Sequence, residues 1–130
     1  MTAAEISCTS QKSVLVVEDN DTARWILAEI LAGEGYVVYE ASDADDAVRR
    51  LAEHTDICAV VSDIEMPGSM DGLEMAALIR RKSPRIGVIL TSGRHCPEGA
   101  ALPPATRFVA KPWAPKELIR ELEALIRPAP

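Results

Sequence analysis

Residues 57–72 read ICAVVSDIEMPGSMDG, and this stretch decides the fold. Its opening, ICAVV, is a near-continuous run of apolar and β-branched residues. Such a run describes a strand covered on both faces, as in a parallel sheet, and not an alternating strand with one wet face. Cys58, inside it, reads as a small buried hydrophobe. The run leads into Asp63, ahead of a loop reading MPGSMDG.

Working outward, residues 14–17 (VLVV), 86–90 (IGVIL) and 108–110 (FVA) repeat the apolar run. Residues 36–40 (YVVYE) alternate more and suit an edge strand. Helical spacing lies between them. Ala23, Ile26, Leu27, Ile30 and Leu31 follow i, i+3, i+4, i+7, i+8, one face of a helix, with Asn20 or Asp21 as its cap and Gly33 and Gly35 at its end. Ala44, Ala47, Val48 and Leu51 form a second helix behind Ser42 and Asp43. Leu73, Ala76, Ala77 and Arg80 form a third, ended by Ser83-Pro84. Leu118, Leu122, Leu125 and Ile126 form the last, with Pro115 in its first turn. Strands alternating with amphipathic helices predict an α/β fold with a doubly wound parallel sheet. Residues 93–105 (GRHCPEGAALPPA) hold three prolines, so any helix between the fourth and fifth strands is expected to be short or irregular.

The composition limits what such a domain does. At 130 residues the chain has the length of one domain, large enough to fold without a disulfide or metal staple. Aromatics are only 4%, so Val, Ile, Leu and Ala must build the core. Twenty acidic residues against fourteen basic give a net charge of −6, which argues against nucleic acid and against a polybasic membrane patch. Cys8, Cys58 and Cys96 are odd in number and lack C-x-x-C spacing, so neither a disulfide framework nor a zinc ribbon is expected. No signal peptide or membrane span is read, and a cytoplasmic location is expected. Residues 1–11 are expected to be a flexible tail, 12–127 the folded domain and 128–130 a C-terminal tail.

Ligands of an open α/β sheet bind outside the carboxyl ends of its strands. Glu18-Asp19 follow the first strand, Asp63 the third, Thr91-Ser92 the fourth and Lys111-Pro112 the fifth. Carboxylates that share a rim repel one another unless a cation joins them. Oxygen ligands of this kind select Mg²⁺ or Mn²⁺. A carboxylate is also a nucleophile able to carry a phosphoryl group, whose negative oxygens call for a metal, an ammonium and a hydroxyl. Asp19, Lys111 and Thr91 supply those three.

The segments VLVVEDN, VVSDIEMPGSMDGLEM, VILTSG and FVAKPW, in that order, resemble the receiver domain of two-component response regulators over residues 12–127, nearly the whole chain. The resemblance implies a flavodoxin-like three-layer sandwich with five strands in the order 2-1-3-4-5. It implies that Asp63 accepts a phosphoryl group and that Asp19, Asp63 and the backbone carbonyl of Glu65 ligate Mg²⁺, with Glu18 acting through water or as a secondary ligand. Thr91, Lys111 and Phe108 would bind and sense the phosphoryl group, Lys111 ahead of a cis peptide to Pro112, and Glu65 and Gly93 would tune its lifetime. The MPGSMDG loop carries one more residue than the family's usual form and is expected to bulge. A histidine kinase or histidine phosphotransfer protein would be the donor. With only PAP after Arg127, output is expected to run through an unidentified downstream protein, and the chain would catalyse only its own phosphorylation and dephosphorylation.

Two other functions fit parts of the pattern. Asp63-Ile64-Glu65 is similar to the D-x-D opening of haloacid-dehalogenase-like phosphatases, although its second acid is Glu. A fold kept only for protein binding would not need Asp19, Asp63, Thr91 and Lys111 together. Elsewhere, Met66, Met70 and Met75 read as core, His54 and His95 as solvated, and Trp25 as partly buried. Trp113 reads either as a packing residue or as a partner anchor.

Overall fold

The computed structural model describes residues 12–93, 102 and 104–126. The expected tails, Cys8, His95, Cys96 and most of the proline-rich segment 93–105 lie outside these residues. In chain order the elements are β1 (Ser13–Val17), α1 (Asp21–Gly33), β2 (Val37–Ala41), α2 (Ala44–Glu53), β3 (Ile57–Asp63), α3 (Gly72–Lys82), β4 (Gly87–Ser92), β5 (Thr106–Ala110) and α4 (Pro115–Ile126). All strand pairs are parallel, and the sheet order is β2-β1-β3-β4-β5.

The apolar runs behave as their composition demands. Every residue of β1 is buried, because the sheet is covered on both faces. Leu15 and Val17 pack with Val60, Leu90, Ala44, Ala47, Met75, Ala76 and Ile79. Val14 and Val16 pack with Val61, Ile89, Leu27, Leu31, Leu118 and Leu122. The period-2 alternation of strand side chains therefore divides each strand between two cores, with α2 and α3 on one side and α1 and α4 on the other. β2, the alternating run, is a half-exposed edge strand. Met75 is fully buried, and Met66 and Met70 pack against the same core, as read.

Helix starts are set by caps. Asn20 Oδ1 accepts from the Ala23 N–H at the start of α1. Asp43 does the same for Asp46 in α2. Asp71 and Glu74 form a reciprocal capping box on α3, which satisfies two donors that the first turn leaves orphaned.

The structure corrects four expectations. The inner face of α1 is rotated from the one its apolar residues suggest: Leu27, Ala28 and Leu31 are buried, Arg24 is half-buried beside them, and Ala23 and Ile26 are exposed. Trp25 is exposed rather than partly buried. His54 is half-buried rather than solvated, its ring stacked on Tyr39 with centroids 4.0 Å apart. Cys58 is only half-buried; its thiol donates to the Ser13 carbonyl at 3.3 Å, and burial pushes its pKa up.

Candidate phosphoacceptor site

The carboxyl ends of β1, β3, β4 and β5 gather the residues that the sequence singles out. Asp63 is the last residue of β3 and is paired in register with Thr91 of β4. Lys111 directly follows β5, and its peptide bond to Pro112 is cis, as the resemblance implies. Lys111 Nζ donates to Asp63 Oδ2 at 3.1 Å and lies 3.6 Å from Glu18 Oε1. Glu18, Asp19 and Asp63 each bring a carboxylate oxygen within 4.8 Å of the others. Glu18 is buried and Asp19 exposed, so the cluster runs from the core edge out to solvent.

Three carboxylates with one ammonium leave this rim short of positive charge. Burial is the largest influence on Glu18 and raises its pKa, helped by its hydrogen bond with Asp19 and the charge of Asp63; the Asn20 N–H and Lys111 pull the other way without cancelling it. For Lys111, burial favours the neutral amine, but the hydrogen bond and charge of Asp63 and the charge of Glu18 outweigh it, and the net shift is upward. Asp63 Oδ1 is buried with no hydrogen-bond partner. Such an atom is costly unless something satisfies it. Crowded carboxylates and an orphaned acceptor are the conditions that a hard divalent cation satisfies, so the residues present fit one.

Thr91 is buried beside Asp63. Phe108 is half-buried against the α2/α3 core, in register with Leu90. Gly93 is exposed, and among the described residues a Cβ there would meet only Lys111 Cβ, at 3.9 Å. The MPGSMDG loop turns at Gly68, where φ is +110°, and Ser69 Oγ donates to Asp45 of α2 at 2.9 Å. Trp113 packs against the α1/α4 core, in favour of its reading as a packing residue.

Several residues at the site were not legible in the sequence. Ser92 Oγ lies 2.9 and 2.8 Å from the two carboxylate oxygens of Glu65, a contact across 27 residues that only the strand register creates. Gly72 approaches so closely that a Cβ on it would stand 2.4 Å from the Asp63 carbonyl oxygen. Arg24 donates to the Glu18 carbonyl at 2.9 Å; an arginine among inner-face positions of a helix was its available signal.

A doubly wound parallel sheet in this order, with acids, a hydroxyl and a lysine on its carboxyl rim, places the chain among flavodoxin-like α/β proteins. Residues 14–123 match the response regulator receiver domain family. The chain belongs to that family and is a receiver domain of two-component response regulators. It is 31% identical over 124 residues to the transcriptional regulatory protein ResD of Bacillus subtilis, covering 93% of this chain and 50% of ResD. It spans about half the length of the curated relatives it matches first. Among solved structures it resembles the response regulator TrrA of Thermotoga maritima in complex with Mg²⁺-BeF, with 31% identity and a TM-score of 0.79, over 88% of this chain and 98% of that one. A structure of the histidine kinase ThkA in complex with TrrA matches with the same identity and TM-score, over 89% of this chain and 99% of that one. No helix among the described residues is long and apolar enough to cross a membrane.

Proposed function

We propose that this receiver accepts a phosphoryl group on Asp63 from a phosphohistidine of a histidine kinase or histidine phosphotransfer protein, and signals in the cytoplasm through a downstream protein. The observation that carries this reading is the Lys111–Asp63 contact at 3.1 Å beside an Asp63 oxygen that is buried and unpartnered. Asp19, Asp63 and the Glu65 carbonyl would hold Mg²⁺ or Mn²⁺, with Glu18 contributing through water. The cation's part is to neutralise charge on the phosphoryl oxygens. An Asp63 oxygen forms the new P–O bond as the P–N bond to the donor imidazole breaks; the bonding pair stays on the imidazole nitrogen. Lys111 meets a phosphoryl oxygen, and Thr91 offers its hydroxyl from the adjacent strand. Positioning and charge neutralisation then do most of the catalytic work. Phe108, in register one residue before the Thr91 pair, would follow the movement of Thr91. Glu65 and Gly93, on the two loops beside Asp63, would set how long the phosphoryl group survives.

Exposure to a small phosphodonor with Mg²⁺ should add one phosphoryl mass, and Asp63→Asn should abolish it. An adduct that persists in the variant would move the acceptor elsewhere. Steady multiple turnover of a generic phosphate ester would instead favour a phosphohydrolase using Asp63 as nucleophile.

A further inference from the structure

We propose that Arg24 is a positioning residue for the acidic pair Glu18-Asp19, and through it sets the affinity of the site for a divalent cation. This inference rests on the proposed metal site and adds a residue outside it.

The guanidinium makes three contacts with three parts of the fold. Nη1 donates to the Glu18 carbonyl at 2.9 Å, Nη2 meets Asp21 Oδ1 at 2.7 Å and Nε meets Glu40 Oε1 at 3.2 Å. It therefore joins the loop after β1, the first turn of α1 and the edge strand β2. Its side chain is 18% exposed, so the fork is shielded on one side, and its planar geometry suits several fixed acceptors at once.

The peptide plane between Glu18 and Asp19 is the object of this clamp. The Glu18 N–H donates to the Ala41 carbonyl at 3.0 Å, and Glu18 Oε2 accepts from the Asn20 N–H at 3.0 Å. Those contacts fix Glu18 on either side of its Cα, and in the peptide plane that follows, Arg24 holds the Glu18 carbonyl. Rotation of that plane changes the direction in which the Asp19 side chain leaves the backbone. Asp19 is exposed, without the packing that fixes Glu18. Its aim depends on the backbone beneath it.

Charge alone predicts the opposite result from positioning. A cation near a metal site repels the metal, so removing it should tighten binding. Here Asp21 and Glu40 already flank the guanidinium, and what reaches the acidic loop is a hydrogen bond. Partners behind metal ligands typically matter by about 10- to 100-fold in affinity.

The test is calorimetric titration of MgCl₂ into the unphosphorylated full chain, wild type and variants, each held well below its own Tm. Arg24→Met should weaken Mg²⁺ binding by about 10-fold or more. Arg24→Lys keeps the charge but cannot serve three acceptors, and should fall between the two. Leu31→Ala, fully buried on the same helix, should lower Tm yet leave the Mg²⁺ affinity unchanged, which separates aim from stability. If Arg24→Met does not fold, Arg24→Lys decides alone. Unchanged or tighter Mg²⁺ binding in the folded Arg24 variants overturns the proposal. So does an equal loss of affinity in Leu31→Ala. Failure of the wild type to bind Mg²⁺ overturns the metal site itself, and with it this role of Arg24.

Discussion

A Cβ on Gly72 would stand 2.4 Å from the Asp63 carbonyl oxygen and 2.9 Å from Ile64 Cα. Both are backbone atoms, so nothing flexible yields. Gly72→Ala should therefore destabilise the domain by about 1–3 kcal/mol, measured by chemical denaturation, and should slow phosphoryl uptake because the strain falls on the acceptor residue. A stable variant with normal uptake would show that the loop absorbs the clash. At this scale the chemically distinctive residues were readable. Asp63 and Lys111 announce themselves as a carboxylate and an ammonium at the ends of apolar runs. Gly72 and the Glu65–Ser92 contact do not, since steric approach and strand register leave no mark on composition. Arg24 draws no attention in the sequence for a related reason. Hydropathy patterning puts every arginine outside, whereas this one sits inward because three acceptors meet it.

Rotation of α1 has consequences for the whole element. Leu27 belongs to the α1/α4 core, while Trp25 is 61% and Ile26 46% exposed. Leu27→Ala should cost about 2–4 kcal/mol, and Trp25→Gln should stay within about 0.5 kcal/mol of wild type. In a denaturation series, a loss in Trp25→Gln as large as that in Leu27→Ala would contradict the exposure of Trp25. At the start of α2, Asp46 accepts from Arg49 and from the Ser42 N–H. The Arg49 hydrogen bond, supported by the Ser42 N–H, holds its carboxyl below the ordinary value of 3.8. A carboxyl depressed in the folded state stabilises above the unfolded pKa, and that contribution is lost as pH falls through the folded one. Acid unfolding should thus be less steep below pH 3.8 in Asp46→Asn. An unchanged acid limb would mean that the pairing contributes nothing. Helix positions were legible from periodicity; the caps were legible only in part, since Asp71-Gly72-Leu73-Glu74 carries a capping-box pattern that apolar spacing passes over.

Across the whole molecule, two cores on opposite faces of one sheet hold four strand ends at a common rim. The order of strands and helices was legible because runs covered on both faces and amphipathic spacing are both long-range consequences of a buried parallel sheet. A cation that binds only the folded rim stabilises the entire domain by mass action. At Mg²⁺ one hundred times its Kd the gain should be about 2.7 kcal/mol, and Asp19→Asn should remove most of it. Thermal unfolding with and without Mg²⁺ checks this, and an equal gain in the variant would move the cation elsewhere. The chain also carries its own optical reporter. It has two tryptophans, Trp25 in solvent and Trp113 packed next to the Lys111–Pro112 bond. Trp113 lines a cleft with Ala23, Gly93, Lys111 and Pro112, so events at the ammonium fall within reach of one indole. Replacing the solvent-facing indole with a non-emitting side chain leaves a fluorophore that reads the occupied rim in real time, without a label.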